Sequence, residues 1–263
     1  MSLIELTPDR GRPRSLRLKR PSERRSLSRS ATRALDVLEF FAQARRPLRA
    51  IEVSKMLEMT PSTTNQLLKT MVDSAHLVFD ARSKTYLPSP RLYYFAAWLV
   101  DTYGVGGRLR DLVGEVQSRT GMVVTVTTPN DLFMQVIDQA SPEGQAPERG
   151  LQVAVFGSAI GSAYLSMLDD AEVLRLADRA RIAKADMPAI LAVVAGIRND
   201  GYADGVSTDE TIWSVAMPLH GLHVPAVLGL AGPTERLRAE LADICQIMRE
   251  AIARWIGASA ERG

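Results

Sequence analysis

Between Leu48 and Val72 the apolar positions fall into two short helical patterns joined by a turn too tight for an ordinary loop. The second pattern has a marked start: Thr60 can cap it, and Pro61 stands at the first helical position, where its missing N–H costs nothing. Thr64, Leu67, Leu68 and Met71 then share one face, while Ser62, Thr63, Gln66, Lys69 and Thr70 share the other. That outer face is polar and, apart from Lys69, uncharged. A helix that enters a DNA major groove needs such short donors and acceptors and must keep carboxylates away from phosphates. A plain helical hairpin would show the same apolar stripe, so the pattern alone leaves both readings open.

The flanks favour DNA. Leu77-Val78-Phe79, a turn at Asp80–Ser83 and the run Lys84–Leu87 predict a hairpin with Arg82 and Lys84 at its tip, closed by Pro88 and Pro90. Upstream, Arg29–Ala42 repeats apolar residues at Ala34, Leu35, Leu38 and Phe41, which predicts a first helix packed behind the other two. Residues 28–90 therefore read as a winged helix-turn-helix, with base or phosphate contacts expected from Arg29, Ser62, Thr63, Asn65, Gln66, Lys69, Thr70, Arg82 and Lys84.

Residues 91–103 are apolar nearly all round and end in Gly104 and Gly106-Gly107. A linker helix over 91–106 would bury that excess against a symmetry mate or between domains, or else form part of one domain's core. Helix-turn-helix operators are commonly two-fold, so a homodimer is expected.

From 107 to 263 helix and strand signals mix without a strict βαβ repeat. A helix at Arg108–Arg119 precedes strands at Met122–Thr128 and Leu132–Asp138 around a Pro129-Asn130-Asp131 turn. A strand at Leu151–Phe156 follows, then helices from about Ser158, near Ala171–Ala180 and at Met187–Asn199. Strands at Trp213–Pro218 and Val224–Ala231 and a long helix Glu235–Ile256 close the chain. The pattern predicts an α+β domain with an antiparallel sheet.

Charge is divided along the chain. Residues 1–90 carry 17 Lys and Arg against 9 Asp and Glu, and the remaining 173 residues carry 15 against 21. The positive charge sits where the helix-turn-helix sits. Nine cations fall in the first 30 residues (Arg10, Arg12, Arg14, Arg17, Lys19, Arg20, Arg24, Arg25 and Arg29) among Pro, Ser and Gly. Residues 1–27 thus read as a basic disordered arm, either a solvated tail or a strap along DNA phosphates. They lack the apolar centre of a secretory signal, although an Arg-rich, Ser-containing start shares features with transit peptides.

With 46% hydrophobic and 24% charged residues the composition is that of a soluble globular protein. No apolar run approaches the roughly 18 to 20 residues of a membrane span. The lone Cys245 excludes an internal disulfide and fits a reducing cytoplasm; its helical, apolar setting makes it a small core residue.

Catalytic signals are weak. Gly157-Ser158-Ala159-Ile160-Gly161 misses the nucleophile-elbow spacing by one residue, and the three histidines (His76, His220 and His223) lack partners at metal-ligand spacing. No phosphate-cradling loop occurs. No cofactor or metal is expected. A hydrolase and a non-DNA interaction module remain as competing readings.

In order and spacing, the chain from about Ser28 resembles the IclR family of transcriptional regulators. The resemblance rests on Arg33-Ala34-Leu35, on Ser62 to Leu68 at the recognition helix and on Tyr86-Leu87 before the linker. In the second half it rests on Gly161, Gly201-Tyr202-Ala203, Val215 to Leu219 and Gly232-Pro233. It implies a winged helix-turn-helix, a linker helix and a GAF-like effector domain, a dimer or dimer of dimers, and repression or activation set by a small organic ligand. Departures are Gln66 where the family has Arg, and Glu58 and His76 where it has Gly; the Glu and Gly spacing between Ala203 and Val215 is also disturbed. By position, the resemblance assigns the effector pocket to Ser158, Ala159, Ile160, Gly161, Trp213, Ser214, Gly229 and Ala231. With Gly229 and Ala231 small, it implies a roomier, more apolar pocket for an organic acid, its carboxylate on backbone N–H groups beside Gly161. The alternative is that Gly229 and Ala231 are small for packing under a helix.

Overall fold

The computed structural model describes residues 28–103, 107–142, 150–207 and 211–257; the expected basic arm at 1–27 lies outside the described residues. Two compact units divide between Leu99 and Val100. In the first, α1 (Arg29–Ala44), α2 (Ala50–Met56) and α3 (Pro61–Asp73) are followed by the hairpin of β1 (Leu77–Asp80) and β2 (Thr85–Pro88). Val37, Phe41, Leu48, Val53, Leu68, Met71 and Leu77 form its core. Leu35, expected on the packed face of α1, is 62% exposed. Val37 takes its place, four residues before Phe41, so the buried stripe runs one step around from the expected one. Leu48 exchanges both backbone hydrogen bonds with Tyr86, an isolated antiparallel bridge at the edge of the wing.

Helix α4 (Arg91–Tyr103) follows. Its start is tied to the first unit: the Arg91 N–H donates to Ser89 Oγ, and the Phe95 ring stacks on His76 with centroids 6.2 Å apart. Tyr93, Tyr94, Phe95 and Trp98 are nevertheless exposed.

The second unit is built on one antiparallel sheet of order β5-β4-β3-β8-β7-β6. Its strands are β3 (Val123–Asn130), β4 (Phe133–Ala140), β5 (Gln152–Ala154), β6 (Ala203–Val206), β7 (Ile212–Leu219) and β8 (Ala226–Pro233). On one face Val124, Val126, Trp213, Val215, Met217, Leu228 and Leu230 pack against α5 (Arg108–Thr120), α9 (Thr234–Ala239) and α10 (Leu241–Trp255). On the other, Met134, Ala203, Ala216 and Val227 pack against α6 (Ala159–Leu165), α7 (Asp170–Arg179) and α8 (Met187–Asp200). The α+β expectation with an antiparallel sheet holds. Cys245 lies in the first of these cores, where burial pushes its thiol up to about 11 and keeps it neutral.

Several features differ from the sequence pattern, among them a turn, a strand and a helix break. Pro129 and Asn130, expected in a turn, extend β3, and the turn falls at Asp131, whose φ is +57°. Pro129 is tolerated because pairing with β8 ends at Thr127, so its missing N–H faces no partner strand. Strand β6 was not expected, and the closing helix divides at Glu240 into α9 and α10.

Candidate DNA interface and effector site

Helix α3 is positioned by side-chain hydrogen bonds at its start. Thr60 Oγ1 accepts from the Thr63 N–H and donates to Thr63 Oγ1, while Thr64 Oγ1 donates to the Thr60 carbonyl. A contact not foreseen from the sequence holds the turn. The buried Ser54 hydroxyl of α2 donates 2.7 Å to the Met59 carbonyl, and the Met59 N–H returns to the Ser54 carbonyl. Glu58 sits in that turn at φ +50°, a left-handed position that costs a non-glycine residue about 1 kcal/mol.

On the outer face of α3, Ser62, Asn65, Gln66 and Lys69 are exposed, and their side chains have no hydrogen-bond partner among the described residues. Thr70 is exposed too, but its hydroxyl proton goes to the Gln66 carbonyl, leaving only acceptor capacity outward. Thr63 is half-buried beside its cap. The amides of Asn65 and Gln66 can each offer a donor and an acceptor to an adenine edge.

At the wing tip, Asp80 accepts from Ser83 Oγ (2.6 Å) and the Arg82 N–H (2.9 Å), which hold its carboxyl below the usual range. The carboxylate is thereby turned onto its own loop, and Arg82 and Lys84 project from an exposed tip, with Lys84 at φ +55°. Arg29 is the first residue of α1.

The expected effector residues separate into three groups. Ser158 caps α6: its Oγ accepts from the Gly161 N–H (3.0 Å) and donates to the Ala154 carbonyl (2.7 Å). The Gly161 N–H is therefore occupied by the cap and is not available to an incoming carboxylate. A Cβ at Gly161 would lie 1.9 Å from the Val155 carbonyl oxygen, so this glycine is there for close helix-to-chain packing. Ala159 is buried in the same layer.

Ile160, Ser214, Gly229 and Ala231 do come together. Register places Gly229 between Thr125 and Ala216, and Ala231 between Val123 and Ser214, all on the α6 face. A Cβ at Gly229 would lie 2.9 Å from both Ile160 Cδ1 and Thr125 Oγ1. In this conformation the Ile160 side chain occupies the space that the missing Gly229 side chain leaves, which fits the packing alternative. Ile160, Thr125 and Ala231 are half-buried; Ser214 is buried.

Trp213 does not join them. Successive residues of a strand point to opposite faces, so its ring lies in the other layer. There its Nε1 donates 3.1 Å to Asp204, and the Arg238 guanidinium stands 4.9 Å from the ring centre. The residue missed by sequence reasoning is Thr125, which supplies a hydroxyl beside Gly229 where β8 has none. Its signal was the alternation Val124-Thr125-Val126-Thr127, with one face apolar and the other hydroxylated.

Comparison with known proteins agrees with this architecture. The IclR helix-turn-helix domain model matches residues 30–78, and the bacterial transcriptional regulator IclR C-terminal model matches residues 100–256. The chain belongs to the IclR family of transcriptional regulators. The HTH-type transcriptional regulator XynR of Escherichia coli (strain K12) is 23% identical over 235 residues, covering 84% of this chain and 93% of XynR. An IclR transcriptional regulator from Alicyclobacillus acidocaldarius shares the fold at a TM-score of 0.55 and 22% identity, covering 89% of this chain and 100% of that one. Pseudomonas aeruginosa HmgR does so at 0.53 and 18%, over 88% and 98% of the two chains. IclR proteins are regulators rather than enzymes. Among the described residues no helix is long and apolar enough to cross a membrane, and no cluster of three His, Cys, Asp or Glu could hold a metal.

Proposed function

We propose that this IclR regulator binds a two-fold DNA operator as a homodimer or dimer of dimers and responds to a small, partly apolar organic acid. Sequence choice falls to Asn65 and Gln66, supported by Ser62, Thr63, Lys69 and Thr70; phosphates are met by Arg82 and Lys84 and by the start of α1 at Arg29. The effector lies on the α6 face of the sheet, against Ile160, Gly229 and Ala231 and beside Ser214, with Thr125 as the hydroxyl that meets its polar end. The observation behind this is the register that sets Thr125 beside Gly229 beneath a half-buried Ile160: an apolar surface edged by the hydroxyls of Thr125 and Ser214. Ile160 ends in a flexible ethyl group whose rotation would open the space over Gly229.

A thermal-shift screen of aromatic and medium-chain carboxylates tests this. A ligand at 100 times its Kd adds roughly 2.7 kcal/mol of stability. Enlarging Ala231→Phe should abolish the shift while DNA binding persists; a shift unchanged in that variant would place the ligand elsewhere.

A further inference from the structure

We propose that Arg49 joins Lys84 and Arg82 in one phosphate-binding strip along the wing, and that this strip supplies sequence-independent affinity for DNA beyond what the recognition helix gives. The inference rests on the DNA-binding reading of this family member and adds a residue that the helix-turn-helix pattern did not single out.

The backbone brings these cations together. Leu48 and Tyr86 exchange hydrogen bonds of 3.0 and 2.8 Å in an antiparallel bridge. Extending that antiparallel register by one residue puts Arg49, the N-cap of α2, opposite Thr85, the residue after Lys84. Arg82 stands two residues further, across the wing tip. All three are exposed, and their guanidinium and ammonium groups make no hydrogen bond or ion pair among the described residues.

The acids beside them are already engaged. Glu52 accepts from the Arg46 guanidinium (2.7 Å) and from the backbone N–H of Arg49 (2.8 Å), which hold its carboxyl below the usual range. Arg46 is thereby neutralised; the Arg49 charge also favours the Glu52 carboxylate, but its guanidinium makes no hydrogen bond or ion pair with it and stays exposed to another anion. Asp80 is likewise folded onto Ser83 and the Arg82 N–H. Two carboxylates that would repel phosphates are thus turned onto their own chain, and three cations are left facing outward. Helix α3 by contrast carries a single cation, Lys69. A neutral recognition helix needs its backbone affinity from elsewhere, and this strip is a fixed part of the folded unit.

The test uses the full chain and two duplexes: one selected from a random library by the wild-type protein, and a scrambled duplex of equal composition. Affinity is measured by fluorescence anisotropy from 50 to 200 mM salt. Arg49→Ala should weaken both duplexes by the same factor and lower the slope of log K against log salt by roughly 0.9, the value of one phosphate contact. Arg49→Lys should restore both, and the thermal midpoint should not move, because the Glu52 cap uses the backbone N–H of residue 49. An unchanged slope, or a loss confined to the selected duplex, would overturn the strip while Gln66→Ala still weakened the selected duplex. If the wild type retained no duplex at all, the DNA reading itself would fall.

Discussion

The indole Nε1 of Trp213 donates a 3.1 Å hydrogen bond to the carboxylate of Asp204, joining edge strand β6 to β7 on the face covered by α5 and α10. Both residues are buried. Trp213→Phe removes a hydrogen-bond donor from a buried carboxyl group and should cost about 1–3 kcal/mol in denaturant unfolding. Because the ring faces away from α6, the variant should keep the ligand-induced thermal shift of the wild type. Loss of that shift at unchanged fold would return Trp213 to the effector site.

Two glycines separate packing from pocket. At Gly161 an added Cβ would meet the Val155 backbone, which cannot rotate aside, so Gly161→Ala should fail to fold or unfold far earlier than the wild type. At Gly229 the obstacle is the end of Ile160 together with the Thr125 hydroxyl, and Gly229→Ala should cost about 1–3 kcal/mol. Combining it with Ile160→Ala should recover part of that loss, since the two changes share one space. Strict additivity in a double-mutant cycle would show that Ile160 does not fill the gap over Gly229.

The exposed aromatic surface of α4 bears on assembly. Tyr94 is 75% and Trp98 56% exposed, more apolar surface than a monomeric connector usually carries. Tyr94→Glu with Trp98→Glu should shift the protein toward monomer in light scattering and weaken binding to a two-fold operator. A monomeric wild type would contradict the dimer reading.

Local signals were the legible ones. Thr60-Pro61 fixed the start of α3, and the turn residues from Asp80 to Ser83 located the wing to within one residue, because caps and turns depend on near neighbours. Strand β6 was missed since Ala203-Asp204-Gly205-Val206 has little strand propensity and is held by its pairing with β7. The break at Glu240 carries neither Gly nor Pro, so nothing in the sequence marks it. In the effector region the residues named by resemblance on β7 and β8 share one face except Trp213, which proximity along the chain had put with Ser214. The pleat separates them, and the Thr125 hydroxyl enters from a strand more than 100 residues away from Gly229. At the helix start the Ser158 cap, which takes up the Gly161 N–H, was not foreseen.

The central claim is that a recognition helix with a single cation chooses the sequence while cations elsewhere supply most of the grip. It is tested most directly by measuring Gln66→Ala and Asn65→Ala on a selected operator and on a scrambled duplex across a salt series. Each substitution should cost roughly 1–3 kcal/mol on the operator, barely change binding to the scrambled duplex and leave the salt slope as it was. Equal losses on both duplexes, or operator binding as tight as that of the wild type, would contradict the account.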